Sequence, residues 1–300
     1  MIPANILLRG NVLLSLAAAV LWGGGDFSGG MGVKTAGGGV RAALRVVLLS
    51  HAASFTVLVL IARMRGDAFP HGTLLAWGIA AGVAGGLSLT CFYVALSRGA
   101  MGASAAVSGL LAAAIPGAVA LWQDGSPGMK PAVGFAVAGI AIWLIAAGPS
   151  REDERTASRE TMLLATLAGI GFGLYFVALK MASPGGVVWP MATARIGSLA
   201  TCSLLALGFG LRPAKPDEPQ VAMGRRVVGW VLGAALLDTS GNMLFLAATR
   251  AGRLDIAAVL ASLYPASTIV LAAVALGERP TRRQVVGMAT AAIAVVLIAM

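Results

Sequence analysis

Charge is scarce in this chain of 300 residues: Asp, Glu, Lys and Arg together make up 11%. A soluble domain carries roughly a quarter charged residues, so this sequence cannot clothe a solvated surface. Cysteine is nearly missing. Cys91 and Cys202 both lie inside apolar runs, which excludes a disulfide scaffold and marks them as reduced, small apolar side chains. Histidine is limited to His51 and His71, too few and too separate for a metal centre. No cofactor is expected. The chain also lacks a helical His-x-x-x-His pair and a Ser/His/Asp set, so no catalytic constellation is visible. No glycine cluster follows a strand and carries Lys-Ser/Thr, which removes phosphate-binding loops.

What the chain has is apolar material: 58% hydrophobic residues and a mean hydropathy of +0.87. Broken at charged, Pro-rich and Gly-rich punctuation, it yields ten spans. They run near 11–31, 40–62, 73–97, 102–122, 131–149, 161–182, 189–210, 227–249, 255–276 and 284–300. About 20 mostly apolar residues cross a hydrocarbon core of roughly 30 Å. The spans are expected to be helices, because lipid offers no partner for free backbone groups. Runs such as Ala289–Ala299 show no barrel-type alternation. The net charge of +10 sits in short loops between spans. That is the pattern of orientation signals and anionic-lipid contact, and it argues for a bilayer partner and against nucleic acid. Arg9, Val12–Leu16 and Ala17-Ala18-Ala19 imitate a signal peptide, but the segment stays apolar through Trp22 and Phe27 and reads as a retained span.

The spans repeat. Phe92-Tyr93-Val94-Ala95-Leu96-Ser97-Arg98-Gly99 matches Leu244-Phe245-Leu246-Ala247-Ala248-Thr249-Arg250-Ala251, about 152 positions later. Gly125-Ser126-Pro127 sits where Glu278-Arg279-Pro280 sits, Gly134 where Gly287 sits, Arg45 where Arg195 sits, and Trp22-Gly23 where Phe172-Gly173 sits. This gives a first half at 1–149, a charged linker at 150–160 containing Ser150–Arg155, and a second half at 161–300. A second polar loop, Arg212–Pro219, is stiffened by three prolines. Each half holds five spans, an odd number, so the second copy enters the membrane from the opposite side. The expected fold is an all-α membrane protein of ten transmembrane helices, built as two inverted five-helix repeats. Inverted repeats recur in secondary transporters, where two related packings open one site to alternate sides.

The residues also carry a resemblance. Trp22-Gly23 in the first span, Arg45 early in the second and the hinge Ala95-Leu96-Ser97-Arg98-Gly99 resemble the EamA-type drug/metabolite transporter superfamily. So do Ser262-Leu263-Tyr264-Pro265, Leu276-Gly277-Glu278-Arg279-Pro280 and Gly287. The first half departs from the pattern: Pro116 lies a turn beyond the place of Pro265, and Gly125 replaces Glu278. The resemblance implies a multi-pass carrier in the plasma or bacterial inner membrane. It implies export of small metabolites, such as amino acids and related amphipathic compounds, with the termini on the cytoplasmic side. Counting Lys and Arg without Arg45 and Arg195 puts about 7 on the face of the termini and about 13 on the other, which favours the reverse orientation.

Charges inside spans are expensive and mark candidate sites. Asp238, in Leu236-Leu237-Asp238-Thr239-Ser240-Gly241-Asn242, sits near mid-span. Its place in the first half is near Gly86, so the polar cluster is not a symmetric scaffold feature. A carboxylate there can bind a substrate amine or take a proton in coupled transport; the alternative is a helix-packing hydrogen bond. Asp26 and Arg45 lie at similar depth in adjacent spans and read as an ion pair or, with Arg195, as a coupling group. Arg195 takes the equivalent place in the second half, and both arginines read as structural or headgroup-reaching side chains, with anion contact as the alternative. Asp238, Asn242, Tyr264, Trp22 and Tyr93 are the expected substrate-binding residues; Tyr175 is a further candidate for the path, and Tyr264-Pro265 promises a distorted helix. Gly78, Gly82 and Gly86, like Gly25 and Gly29, make small-residue faces suited to close helix packing. An enzyme is not expected. The alternative of a membrane-embedded enzyme on a lipid-linked phosphate would centre on Arg45, Arg195 and a carboxylate.

Overall fold

The computed structural model describes residues 4–98, 101–146, 159–210, 223–276 and 279–299. Gly99, Gly277, Glu278, most of the charged linker and the Arg212–Pro219 loop lie outside the described residues. The first half contributes α1 (Ala4–Thr35), α2 (Gly39–Arg65), α3 (Gly72–Ser97), α4 (Met101–Asp124) and α5 (Met129–Ala146). The second contributes α6 (Arg159–Ala182), α7 (Val188–Gly210), α8 (Arg225–Ala251), α9 (Leu254–Ala261), α10 (Tyr264–Leu276) and α11 (Arg282–Ala299). A 3₁₀ turn at Ser183–Gly185 links α6 to α7. Among the described residues there is no strand. Nine segments among them are long and apolar enough to cross a membrane, and Met129–Ile145 is a shorter apolar helix.

The ninth span differs from the expected continuous helix at 255–276: it breaks at Ser262-Leu263, between α9 and α10. Pro265 has no N–H to donate and falls in the first turn of α10, where none is needed. The chain turns there through bonds from Leu263 N–H to Leu260 O (3.2 Å) and Ala266 N–H to Leu263 O (3.0 Å). Pro116 lies within α4, which stays unbroken.

Corresponding helices of the two halves run in opposite directions. A Cβ added at Gly134, early in α5, would stand 2.6 Å from Ile298 at the end of α11, and one at Gly287, early in α11, would stand 2.8 Å from Ile145 at the end of α5. The α2–α7 pair is antiparallel too. Arg41 donates to the Phe209 carbonyl (3.0 Å) at one end, and Trp189 donates to the Asp67 carbonyl (2.8 Å) at the other. The two copies are therefore inverted. The remaining packing follows the same exchange: α1 lies along α8 as α6 lies along α3, and α9 and α10 lie along α1 as α4 lies along α6.

Between helices in lipid there is little hydrophobic drive, so close packing depends on small residues. Gly78, Gly82 and Gly86 of α3 face Thr193, Ala194 and Ser198 of α7, and Gly82 lies against the Ala194 carbonyl itself. Gly25 backs onto the Asp238 backbone, and Gly29 is covered by the Tyr93 ring. Large apolar side chains such as Leu13, Leu60, Trp143, Leu204, Leu236 and Val296 point outward, as a lipid-facing belt requires. Both cysteines are free, and the Cys202 sulfur lies 3.8 Å from the Thr90 hydroxyl.

On the face where α1 begins, polar side chains tie the helix ends together, Arg253 and Asn11 across the two halves and Lys180 and Arg250 within the second. Arg253 donates to the Asp255 carboxylate (2.8 Å) and to the carbonyls of Gly125 (2.7 Å) and Asp124 (3.3 Å). Asp255 also accepts from the Ile256 N–H (2.8 Å), at the positive end of α9. Lys180 donates to the Thr249 carbonyl, Arg250 to the Ser183 carbonyl, and Asn11 to the Ala248 carbonyl (2.9 Å). Arg98, the repeat partner of Arg250, instead reaches Glu160 on the other face (3.2 Å).

Candidate functional site

Half-way along the helices, where the two halves meet, lies a cavity of about 50 Å³. Its polar wall comes from α2, α6, α7 and α8. Arg195 Nη2 donates to Asp238 Oδ2 (2.6 Å) and to Thr239 Oγ1 (3.3 Å), and Arg195 Nη1 lies 2.9 Å from His51 Nε2. A guanidinium only donates, so His51 Nε2 accepts. The imidazole is then neutral with its proton on Nδ1, which donates to Ser198 Oγ at 2.6 Å. Asn242 Nδ2 donates to Asp238 Oδ1 (2.9 Å) and to the Asp238 carbonyl (2.8 Å), while its Oδ1 accepts from the Tyr175 hydroxyl (2.8 Å). The network thus occupies both oxygens of Asp238. Only 4% of the Arg195 side chain is accessible, against 18% for Asp238, so this is a buried, hydrogen-bonded ion pair whose charges offset each other.

The opposite wall is aromatic. Trp22 stacks on Phe176 with ring centres 5.0 Å apart and planes 7° from parallel, and Tyr264 meets Trp22 edge-on at 6.5 Å. The Tyr264 hydroxyl is 2.8 Å from Ser108 Oγ and donates to the Ala105 carbonyl (3.1 Å). Gly241 lets the Trp22 indole approach α8 closely, since a Cβ there would stand 2.6 Å from its ring. Asp26 of α1 also lines the cavity.

Of the expected residues, Asp238, Asn242, Tyr264 and Trp22 line the cavity, as do Asp26 and Arg195. Tyr93 does not: it is 1% exposed and packs between Gly29 and Phe92. The expected ion pair of Asp26 with Arg45 is replaced. Arg45 is exposed on the outside of α2, and the carboxylate that meets a buried arginine is Asp238, meeting Arg195. Similar depth in two helices does not fix the direction around each axis, and here the directions diverge. His51 and Ser198 join the network without having been singled out. The available signal was a histidine in the middle of an apolar span, expensive there unless partnered. His71 is elsewhere, edge-on to Phe69 at 5.8 Å.

Residues 159–300 match the model of the EamA-like transporter family, part of the drug/metabolite transporter superfamily. No curated protein matches the chain. Among the solved structures, 24 chains match. One crystal structure covers 96% of this chain and 96% of its own at a TM-score of 0.70 and 16% identity, a likeness of fold.

Proposed function

We propose, from the membership of residues 159–300 in the EamA-like transporter family, that this membrane transporter exports small metabolites, among them amino acids and related amphipathic compounds, by alternating access. One observation carries the reading: a cavity with one polar and one aromatic wall lies at mid-depth, where two inverted five-helix halves meet. Such a site serves both faces if the halves rock about it. The moving units are the segments 1–149 and 161–300, joined by the linker at 150–160. Asp238, Asn242, Tyr264 and Trp22 form its walls toward the cargo, and the plasma or bacterial inner membrane is its setting. Protons are the natural coupling ion for a site holding two carboxylates.

The volume of the cavity supports a contracted state. A cavity of about 150 Å³ holds benzene, about three times the volume present here. Cargo therefore enters only when the helices part. The bonds of Arg253 to Gly125 and Asp124 and of Asn11 to Ala248, which clamp the halves together on the α1 face, are a barrier suited to such a state. A membrane-embedded enzyme on a lipid-linked phosphate finds less support. Arg195 is offset by Asp238, and Arg45 lies outside the cavity.

The test is counterflow of a labelled metabolite panel into liposomes holding the purified protein, with and without a pH gradient. Saturable, protein-dependent flux of at least one compound is expected. A panel of amino acids, amines and their analogues that all stay outside would overturn the carrier reading.

A further inference from the structure

We propose that the cargo group recognised in this cavity is an ammonium, seated on Asp26, with the apolar body of the same molecule against Trp22, Phe176 and Tyr264. The inference rests on the transport reading above and, among its amphipathic compounds, favours organic cations over amino acids.

The argument is an inventory of unspent polar capacity. The polar side chains on the wall from α2, α6, α7 and α8 are engaged within the protein at their accessible atoms, and the one Arg195 nitrogen left without a partner, Nε, is buried out of reach of the cavity. His51 uses both ring nitrogens, Asn242 both ends of its amide, and Asp238 both carboxylate oxygens. The Tyr264 hydroxyl is held by Ser108 and Ala105. Asp26 differs. It lines the cavity, yet no described residue gives it a hydrogen bond or an ion pair. The charged and titratable groups around it are Asp238 from α8, Arg195 from α7, His51 from α2, Tyr93 from α3, Tyr175 from α6 and Tyr264 from α10. Arg195 and Asp238 cancel, and the network makes His51 neutral. When Asp26 is ionised the cavity carries one surplus negative charge, which no internal cation meets and a cationic group on the cargo would.

That surplus selects among cargoes. A free carboxylate on the ligand would have to compete with Asp238 for Arg195, whose charge is already offset and whose side chain is 4% accessible. An anion, or the acid group of a zwitterion, would be buried beside two carboxylates without a partner, which is heavily penalised. An ammonium gains Asp26 directly. The apolar body of the same molecule gains contact with the aromatic side chains that line the cavity. The same geometry thus attracts one charge type and repels the other, which is how discrimination is obtained.

The experiment uses three labelled ligands with one phenyl body: phenethylamine, phenylalanine and 3-phenylpropionate. Binding to the detergent-purified protein is measured by equilibrium dialysis, and flux is measured by counterflow in liposomes. Phenethylamine is expected to bind at least ten-fold more tightly than either acid, and to move. Asp26→Asn, checked by its elution profile and thermal transition, is expected to lose at least ten-fold of that affinity. The ligand series on the unaltered protein decides the charge class even if the variant fails to fold. Tighter binding and flux of phenylalanine or 3-phenylpropionate would overturn the cation assignment while leaving the carrier reading standing. Unchanged phenethylamine affinity in a folded Asp26→Asn protein would remove Asp26 from the site. No binding of any of the three, alongside flux of other compounds, overturns the cargo proposed here. No flux of any compound overturns the carrier reading as well.

Discussion

At the scale of single residues, the decisive fact is that Asp238 is committed to Arg195, His51 to both Arg195 and Ser198, and Asn242 to both Asp238 and Tyr175. Replacing one member of a buried ion pair strands the other charge, at a cost of about 3–5 kcal/mol. Asp238→Asn is therefore expected to lower the thermal transition of the purified protein as well as its flux. The double change Arg195→Met with Asp238→Leu removes both charges. It is expected to recover most of the stability while transport stays lost, since the polar wall is gone. A single variant as stable as the native protein would show that the pair is weakly coupled. Much of this was readable in the chain: a carboxylate and an amide four residues apart inside an apolar span announce a polar site. What was not readable was the partner. Arg195 lies 43 positions away, and only the packing of α7 on α8 brings its guanidinium round to Asp238 rather than out to a headgroup. The same limit misassigned Asp26, whose depth was legible but whose direction around α1 was not.

At the scale of elements, glycines set how closely helices approach, but only where a neighbour is there to be approached. Gly82 lies against the Ala194 carbonyl of α7, whereas nothing stands within 4 Å of a Cβ built at Gly117 in α4. Gly82→Ala must push α3 and α7 apart, an overpacking cost of about 1–3 kcal/mol. Gly117→Ala has room, and the better helix propensity of alanine stabilises by up to about 1 kcal/mol. Thermal unfolding of the two variants in the same detergent is expected to move in opposite directions, and equal shifts would contradict the packing described. The spacing of Gly78, Gly82 and Gly86 made this face legible in the sequence. The break between α9 and α10 was legible only in part, because an apolar run keeps its composition across a turn and Pro265 alone marks the place. The clamp on the α1 face is also an element-scale device. Arg253 holds the α4–α5 turn through the Gly125 and Asp124 carbonyls, so Arg253→Gln, which cannot span both, is expected to loosen that face. A cysteine placed at Ala248, in a background where Cys91 and Cys202 are replaced, should then react with a water-soluble thiol reagent at least several-fold faster. An unchanged rate would mean that the clamp does not limit access.

At the scale of the whole molecule, the inversion follows from a count that the sequence allowed and a packing that it did not. Five apolar spans per copy are odd, which turns the second copy over, and the antiparallel α5–α11 and α2–α7 pairs are the physical form of that turning. The copies have drifted where the site is. Gly86 stands in the first half where Asp238 stands in the second, and Arg45 faces outward where Arg195 faces in. A symmetric frame thus holds an asymmetric site, which lets two related packings alternate around one set of cargo contacts. The frame itself is testable without knowing the cargo. Ser126, in the turn between α4 and α5, and Arg279, ahead of α11, occupy matching places in the two halves, and both are exposed. In an otherwise cysteine-free protein, Ser126→Cys and Arg279→Cys are expected to react with a membrane-impermeant maleimide from opposite sides of sealed vesicles. Whichever of the two is labelled from outside, the other is labelled only after the membrane is permeabilised. The result also assigns the face of the termini, on which the spread of basic residues and the family likeness disagree, because Ser126 shares that face with the start of α1. Labelling of both cysteines from one side would mean that the halves enter the membrane in the same direction, and the inverted frame would fall with it.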